Sequence, residues 1–326
     1  MNNILITGAA GFIGSGVSRK LLEQGKKVIG IDNINDYYDR RLKNLRLKAL
    51  KKCPNFTFCK VNINNKKDLS EVFHKHKIHA IINLAAHSGV RNSMAHPDVY
   101  LTTNAHGLLN LLELMRKHDV KKMVQASSSS LYAGGEMPFT ENLPVNTPIS
   151  PYAVSKKAAE LIAHAYHHLF GLDITILRYF TVYGPAGRPD MSCFRFIKWI
   201  DEGRELILYG NGEQSRDFTY IDDIVDGTIK ALKPAGYEII NLGSNHPRNL
   251  LEMISMIEKC LNRKARIKKL PAQNSDVTAT WADIGKAKSL LCWAPKVSLE
   301  EGMERTIRWH IENRPFIRRI EIDLTL

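Results

Sequence analysis

Tyr152 and Lys156 stand four residues apart in Tyr152-Ala153-Val154-Ser155-Lys156. That spacing puts both on one face of a helix, about one turn from each other. An ammonium beside a phenol favours the phenolate and draws its pKa down from about 10 toward neutrality. A bound nicotinamide cation would push the same way, so Tyr152 is a candidate general base for a sugar or alcohol hydroxyl. The same spacing also occurs on ordinary surface helices. What lifts it above that reading is Ala126-Ser127-Ser128-Ser129-Ser130-Leu131-Tyr132, a run of hydroxyls at a strand end. Ligands of parallel sheets bind beyond the carboxyl ends of the strands, so these hydroxyls face the same site.

A second constellation lies near the start of the chain. Thr7-Gly8-Ala9-Ala10-Gly11-Phe12-Ile13-Gly14 follows a short apolar strand and opens a helix. Gly8, Gly11 and Gly14 permit a tight turn and let backbone N–H groups approach a pyrophosphate at the positive end of that helix. The next strand ends in Asp32, whose carboxylate can accept from the adenosine ribose hydroxyls and repel a 2′-phosphate, which favours NAD over NADP. The plainer role for Asp32 is turn initiation before Asn33. Arg40 and Arg41 are the nearby cations able to receive a 2′-phosphate instead.

The elements that must hold these groups alternate. Strands are predicted at residues 4–7, 27–32, 56–62, 80–84, 122–127 and 173–178. Helical patterns are predicted at residues 14–24, 68–76, about 100–118 and 152–170. Strands interleaved with helices of this length imply βαβ units and a parallel sheet covered on both faces. After Gly184 the rhythm changes, and Gly, Pro and Asn punctuate the chain as far as Gly212. The expected fold class is α/β: a Rossmann-like doubly wound parallel sheet with a smaller C-terminal mixed α/β substrate domain. Residues 1–178, with a return segment at about 217–243, make the expected dinucleotide-binding domain. Residues 179–216 and 244–326 make the expected substrate domain.

Gly8, Gly11, Gly14, Asp32, Leu84-Ala85-Ala86, Asn104, the serine run and Tyr152/Lys156 together resemble the extended short-chain dehydrogenase/reductases, specifically the nucleotide-sugar epimerases. The likeness runs on through Arg178–Pro185, Gly210-Asn211-Gly212, Arg216-Asp217-Phe218 and residues 276–283. It implies Ser128, Tyr152 and Lys156 as the catalytic residues. It implies tightly held NAD contacted by Gly8, Gly11, Phe12, Ile13, Gly14, Asp32, Asn33, Asn62, Ile63, Leu84, Ala85, Ala86, Asn104, Tyr152, Lys156 and Tyr179. A homodimer through the helices near 100–118 and 152–170 is implied as well. Two positions depart from the pattern: Asn62 stands where an Asp usually meets adenine, and Ala133 where a Gly usually follows Tyr132.

The chemistry so implied is redox-neutral 4-epimerisation of a UDP-sugar. Asn35–Asp39, Gly89-Val90-Arg91 and Gly187–Met191 resemble the uronate 4-epimerases, which makes UDP-glucuronate, interconverted with UDP-galacturonate, the expected substrate. The substrate residues expected are Arg91, Ser128, Ser129, Ser130, Thr181, Arg188, Arg216 and Asp276. Arg216 would pair with the diphosphate through its planar fork, and Asp276 would accept from the uridine ribose. A uronate carboxylate wants several donors in a closed site. Ser128, Ser129, Ser130 and Thr181 supply hydroxyls, and Arg188 a cation. The alternatives are a UDP-glucose or UDP-N-acetylglucosamine 4-epimerase, a nucleotide-sugar 4,6-dehydratase, and a non-enzymatic NAD-binding regulator. Dehydratases of this fold carry Asp-Glu where this chain has Ser129-Ser130.

Composition bounds the rest. In 326 residues, 46 Lys+Arg exceed 33 Asp+Glu for a formal charge of +13. The cations are dispersed and do not interleave with aromatics, so a solvated basic surface is the reading, with no nucleic-acid partner. No apolar run reaches a membrane span, and Met1-Asn2-Asn3 leads into Ile4-Leu5-Ile6 without a basic region before it. A cytoplasmic protein with no membrane partner is expected. The five cysteines are scattered, as for reduced thiols. His164, His167 and His168 share a helix face, yet no partner is placed to complete a metal site, so none is expected. Trp281, Trp293 and Trp309 are read as packing residues, and Ser298 with Glu301 as a helix start.

Overall fold

The computed structural model describes residues 3–272 and 277–322. Seven strands form one parallel sheet: β1 (Asn3–Thr7), β2 (Lys27–Asp32), β3 (Phe56–Lys60), β4 (Ala80–Asn83), β5 (Lys122–Ser128), β6 (Asp173–Tyr179) and β10 (Tyr237–Leu242). Their order is β3-β2-β1-β4-β5-β6-β10. The order reverses between β1 and β4, and that switch point opens a crevice at the C-terminal strand ends. Alternate side chains face opposite ways. Ile4 and Ile6 of β1 accordingly enter one core with Val17 and Leu21, while Leu5 enters a second core with Leu108, Leu111 and Ala159.

Helices α1 (Phe12–Glu23) and α9 (Ile221–Lys230) cover the first face. Helices α3 (Lys66–Lys75), α6 (Gly107–Lys117) and α7 (Pro151–Phe170) cover the second. The predicted helix near 100–118 is composite. Helix α4 (Val90–Ala95) and α5 (Pro97–Leu101) precede a π turn at Thr102–His106, and α6 follows. Between β2 and β3 lies a helix the sequence reading missed, α2 (Arg40–Leu50), whose many basic residues blur its apolar stripe of Leu42, Leu47 and Leu50.

A second layer carries β7 (Thr181–Tyr183), β8 (Glu205–Tyr209), β9 (Ser215–Tyr220), β11 (Pro247–Asn249) and β12 (Arg266–Leu270). These make a three-stranded sheet, β11-β9-β7, and a two-stranded sheet, β12-β8. With them go α8 (Ser192–Asp201), α10 (Leu250–Leu261), α11 (Gly285–Leu291), α12 (Leu299–Glu312) and α13 (Arg314–Ile317). Ser298 caps α12 by accepting from the Glu301 N–H at 3.1 Å, as read from the sequence. Trp293 is buried, but Trp281 is 37% exposed and donates to Asn245 Oδ1 at 2.8 Å. Trp281 is therefore no core residue: its indole edge stays at the surface to satisfy its N–H.

Candidate active site

A cavity of about 500 Å³ lies at the switch point, between the strand ends and the second layer. Its floor is the glycine loop. Gly8 has φ +66°, and a Cβ there would sit 2.9 Å from the backbone of Leu84 and Ala85. A Cβ on Gly14 would come within 2.1 Å of the Gly8 carbonyl oxygen. Gly11 is the N-cap of α1 and has no side-chain cap, so the first N–H groups of that helix are left open to an anion. This cradle fits a dinucleotide pyrophosphate.

Asp32 is buried at the end of β2. One carboxylate oxygen accepts from the Ala10 N–H at 3.1 Å, the other from the Ile34 N–H at 2.8 Å. Ile34 is held at φ 51°, an uncommon conformation for a β-branched residue. Each oxygen keeps a second lone pair for a ribose hydroxyl. Arg40 and Arg41 are turned away, paired with Asp36 at 2.9 Å and Asp39 at 2.6 Å. Lys43, which sequence reasoning missed because it sits in the unrecognised α2, does line the cavity. Burial pulls its pKa down to about 8, with Asp32 opposing. Phe12, Ile13, Asn33, Asn62, Ile63, Leu84, Ala85 and Ala86 line the same cavity.

A buried polar row that the sequence reading overlooked fixes the far wall. The Thr7 hydroxyl donates to Asn83 Oδ1 at 2.5 Å and accepts from the N–H groups of Leu84 and Ala85 at 3.1 and 2.9 Å. Asn83 in turn donates to Gln125 Oε1 at 2.7 Å. The signal was there for two of them: Thr7 and Asn83 end the apolar runs of β1 and β4, while Gln125 sits in the middle of β5. Asn104 stands beside this wall, where its oxygen accepts from the His87 N–H at 2.9 Å and its amide donates to the His87 carbonyl and the Ser155 hydroxyl, both at 2.9 Å. Those bonds brace the His87 loop against α7, and the amide oxygen keeps a second lone pair. Tyr179 lines the cavity by its body, while its hydroxyl bonds Thr228 at 2.9 Å.

Ser128, Tyr152 and Lys156 converge on this cavity. The Ser128 hydroxyl bonds the Tyr152 hydroxyl and lies 3.1 Å from Ser130 Oγ. Lys156 Nζ donates to the Ala126 carbonyl at 3.0 Å and stands 6.0 Å from the centre of the Tyr152 ring. The electrostatics correct the sequence reading. Burial raises the Tyr152 pKa, against the Ser128 hydrogen bond and the charge of Arg188. Burial also lowers Lys156 to about 8, with Glu160 opposing. In the protein alone burial therefore acts against the phenolate.

The remaining expected residues spread along the cavity. Ser129, Ser130, Thr181, Arg91, Arg188 and Arg216 all line it. Arg91 stacks on the Tyr209 ring at 4.3 Å, and Arg216 donates to the Ser215 carbonyl at 2.8 Å. Arg188 is already compensated. Its fork pairs with Asp190 at 2.5 and 3.1 Å, and it donates to the Ser88 hydroxyl. Arg46, buried on α2, holds the approach to this segment through the carbonyls of Ala186 at 2.6 Å and Gly187 at 3.1 Å. Asp276 lies outside the described residues. Among the described lining residues the carboxylates are Asp32 and Asp190. Among the described residues no group of three His, Cys, Asp or Glu is placed to hold a metal ion. His164 and His167 pack on the Tyr237 ring instead.

The glycine cradle, the acidic strand end and the Ser-Tyr-Lys centre define a dinucleotide-dependent enzyme of the extended short-chain dehydrogenase/reductase type. Residues 5–306 match the family model described as GDP-mannose 4,6 dehydratase, and the chain belongs to that family. It is 54% identical over 323 residues to a UDP-glucuronate 4-epimerase of Thermodesulfobacterium geofontis, covering 99% of this chain and 100% of that one. It is similar to the crystal structure of UDP-glucuronic acid 4-epimerase from Bacillus cereus in complex with UDP-glucuronic acid and NAD, with 38% identity and a TM-score of 0.90. That match covers 95% of this chain and 99% of the other. A UDP-glucose 4-epimerase structure from Thermotoga maritima, with UDP-glucose, matches at 31% identity and a TM-score of 0.87, covering 96% and 99%.

Proposed function

We propose that this chain is an NAD-dependent 4-epimerase that interconverts UDP-glucuronate and UDP-galacturonate through a 4-keto intermediate. The observation that carries the reading is the convergence of Ser128, Tyr152 and Lys156 beside the glycine cradle, with serines at 129 and 130. A 4,6-dehydratase needs an extra acid and base near the sugar, and Ser129 and Ser130 supply neither. The 54% identical relative carries the name of the same activity.

Bound NAD supplies the acceptor and donor of the C4 hydride and regenerates itself in each turnover. The chain's own residues do the rest. Gly8, Gly11 and Gly14 cradle the pyrophosphate, and Asp32 takes the adenosine ribose. Tyr152 receives the proton of the sugar 4-hydroxyl, relayed by Ser128, and later returns it. Lys156 donates to the nicotinamide ribose and holds positive charge near the phenol. Burial opposes the Tyr152 phenolate in the protein alone, and the Ser128 hydrogen bond and the charge of Arg188 favour it; a bound nicotinamide cation would act in the same sense as those two. Arg216 and Asp276 serve the diphosphate and uridine. Thr181, Ser129 and Ser130 donate to the C6 carboxylate, with Arg188, already paired, closing the pocket through Asp190 and Ser88. Holding that carboxylate fixed matters, because the 4-keto sugar is a β-keto acid. It loses CO₂ when the C5–carboxylate bond aligns with the carbonyl π-system.

On this reading residues 1–178 with about 217–243 bind the dinucleotide, and residues 179–216 with 244–326 bind the UDP-sugar. A second copy covers the face bearing Val99, Leu101, Val154, Leu161 and Leu169, large apolar residues between 41% and 66% exposed. Leu161→Glu is expected to shift the protein to monomers in sizing chromatography. Free thiols at all five cysteines accord with a reducing cytoplasm. The test of an enzyme against a binding module is Tyr152→Phe, which should abolish turnover while the protein still copurifies with NAD(H). Unchanged turnover would refute the assignment.

A further inference from the structure

Behind the Tyr152–Lys156 face lies a buried charge pair that the steps above do not use. Glu160 continues the face one turn past Lys156 and is 2% exposed, and Arg178 on β6 is 1% exposed. The pair is two-pronged: Arg178 Nε donates to Glu160 Oε1 at 2.9 Å, and Nη2 to Oε2 at 2.7 Å. Glu160 Oε1 also accepts from the Ser127 hydroxyl at 2.6 Å. Ser127 immediately precedes Ser128 on β5. Because strand side chains alternate, Ser127 faces Glu160 and Ser128 faces the cavity. The other arm of Arg178 donates to the Tyr132 hydroxyl at 2.7 Å, which donates to Asn241 Oδ1 at 2.8 Å. A buried ion pair contributes little to folding compared with an apolar replacement of the same volume. Its place here is better explained by what it does to the neighbouring face.

We propose that Glu160 is a positioning residue for the Ser128–Tyr152–Lys156 centre: its carboxylate supplies the negative charge behind the Lys156 ammonium and, through Ser127, fixes the strand end that carries Ser128. The inference rests on the catalytic reading of those three residues. Several titratable and charged groups face this part of the molecule. Tyr152 and Glu160 come from α7, Ser127 and Ser128 from β5, and Arg178 and Tyr179 from β6. Tyr132 comes from the turn after β5, and Tyr237 from β10, its hydroxyl donating to the Glu160 carbonyl at 3.1 Å. Glu141, from the segment between Tyr132 and α7, accepts from the Asn241 N–H at 2.8 Å, Arg188 acts on Tyr152 from the cavity side, and Tyr100 of α5 packs on the Tyr152 ring at 6.0 Å. Of the two carboxylates, Glu160 is the one on the helix of Lys156. Burial works against the Lys156 ammonium and Glu160 works for it. Glu160 also neutralises Arg178, so its removal would both withdraw an attractive charge and unmask a repulsive one.

The test compares wild type, Glu160→Gln, Glu160→Asp and Ser127→Ala, purified with their cofactor. The readouts are kcat and KM for UDP-glucuronate across pH, the pH dependence of NADH affinity by fluorescence, and melting temperature. In Glu160→Gln the alkaline limb of kcat and the loss of NADH affinity should both move to lower pH, by about one unit or more. At neutral pH kcat should fall about tenfold or more, with KM changed less than about twofold. Glu160→Asp keeps the charge and should restore the alkaline limb. Ser127→Ala should lower kcat without moving that limb. If Glu160→Gln does not fold, Glu160→Gln with Arg178→Met removes both charges, leaves neither one unpaired, and should show a smaller displacement in the same direction. An active wild type whose variants keep the wild-type alkaline limb, losing kcat only in step with melting temperature, overturns the role of Glu160. A wild type that does not turn over UDP-glucuronate overturns the catalytic reading beneath it.

Discussion

Replacing Gly8 by Ala separates two costs that the cofactor cradle imposes. The first is conformational. At φ +66° a Cβ meets the following carbonyl oxygen, which costs about 1–2 kcal/mol. The second is steric. The new Cβ would lie 2.9 Å from Leu84 and Ala85 backbone atoms, where carbon contacts prefer about 3.5–4 Å, and overpacking of this kind costs about 1–3 kcal/mol. The wall does not yield freely, since the Leu84 and Ala85 N–H groups are bonded to Thr7 Oγ1. The sum is about 2–5 kcal/mol. For a chain of 326 residues that lowers the melting temperature by roughly 3–7 °C. Gly25 provides the control: its φ is +74°, with nothing within 4 Å of an added Cβ, so Gly25→Ala carries the first cost alone. Each protein is melted by scanning fluorimetry, then denatured and its released NAD(H) quantified. Gly8→Ala should melt well below Gly25→Ala and carry little cofactor. A Gly8→Ala protein that melts with Gly25→Ala and retains full cofactor would refute the cradle.

Four further outcomes follow from the site. Denatured wild-type protein should release NAD(H) and no NADP(H), because Asp32 repels a 2′-phosphate while Arg40 and Arg41 are occupied by Asp36 and Asp39. Arg216→Ala should raise KM for UDP-glucuronate about tenfold or more, since a hydrogen bond to a charged group contributes about 1.5–3 kcal/mol, and an unchanged KM would remove Arg216 from the diphosphate site. Thr181→Val should weaken uronate turnover and release more UDP-pentose, detected by chromatography. Lys156 has its folded pKa lowered from 10.5 to about 8, so the buried charge costs stability below pH 8 and that cost fades as pH rises toward 10.5. In denaturant titrations of ligand-free protein, Lys156→Met should therefore exceed wild type in stability at about pH 7, with the margin shrinking by about 1 kcal/mol near pH 9.

The parallel sheet was legible because its strands are short, apolar and interleaved with helices, and the glycine cradle because Gly8, Gly11 and Gly14 fall where one strand turns into a helix. The residues that escaped did so for identifiable reasons. α2 carries Lys43 and Arg46 into the interior, yet its composition reads as solvated surface. Thr7, Asn83 and Gln125 are isolated polar residues whose row forms only when β1, β4 and β5 lie side by side. The π turn that aims Asn104 at His87 and Ser155 has no signature in spacing. The Tyr152–Lys156 pairing was visible, but its sign was not. Four residues of separation specify proximity, whereas the direction of the Tyr152 shift is set by burial, which only the folded chain reveals.

The most direct measurement is turnover by the protein as purified, without added NAD, incubated separately with UDP-glucuronate, UDP-glucose and UDP-N-acetylglucosamine, the epimers being resolved by chromatography. UDP-glucuronate should convert to a mixture with UDP-galacturonate while the other two are little changed, because the bound cofactor is regenerated within each turnover. Efficient epimerisation of UDP-glucose with UDP-glucuronate untouched would contradict the uronate assignment, and conversion of none of the three would contradict the epimerase itself.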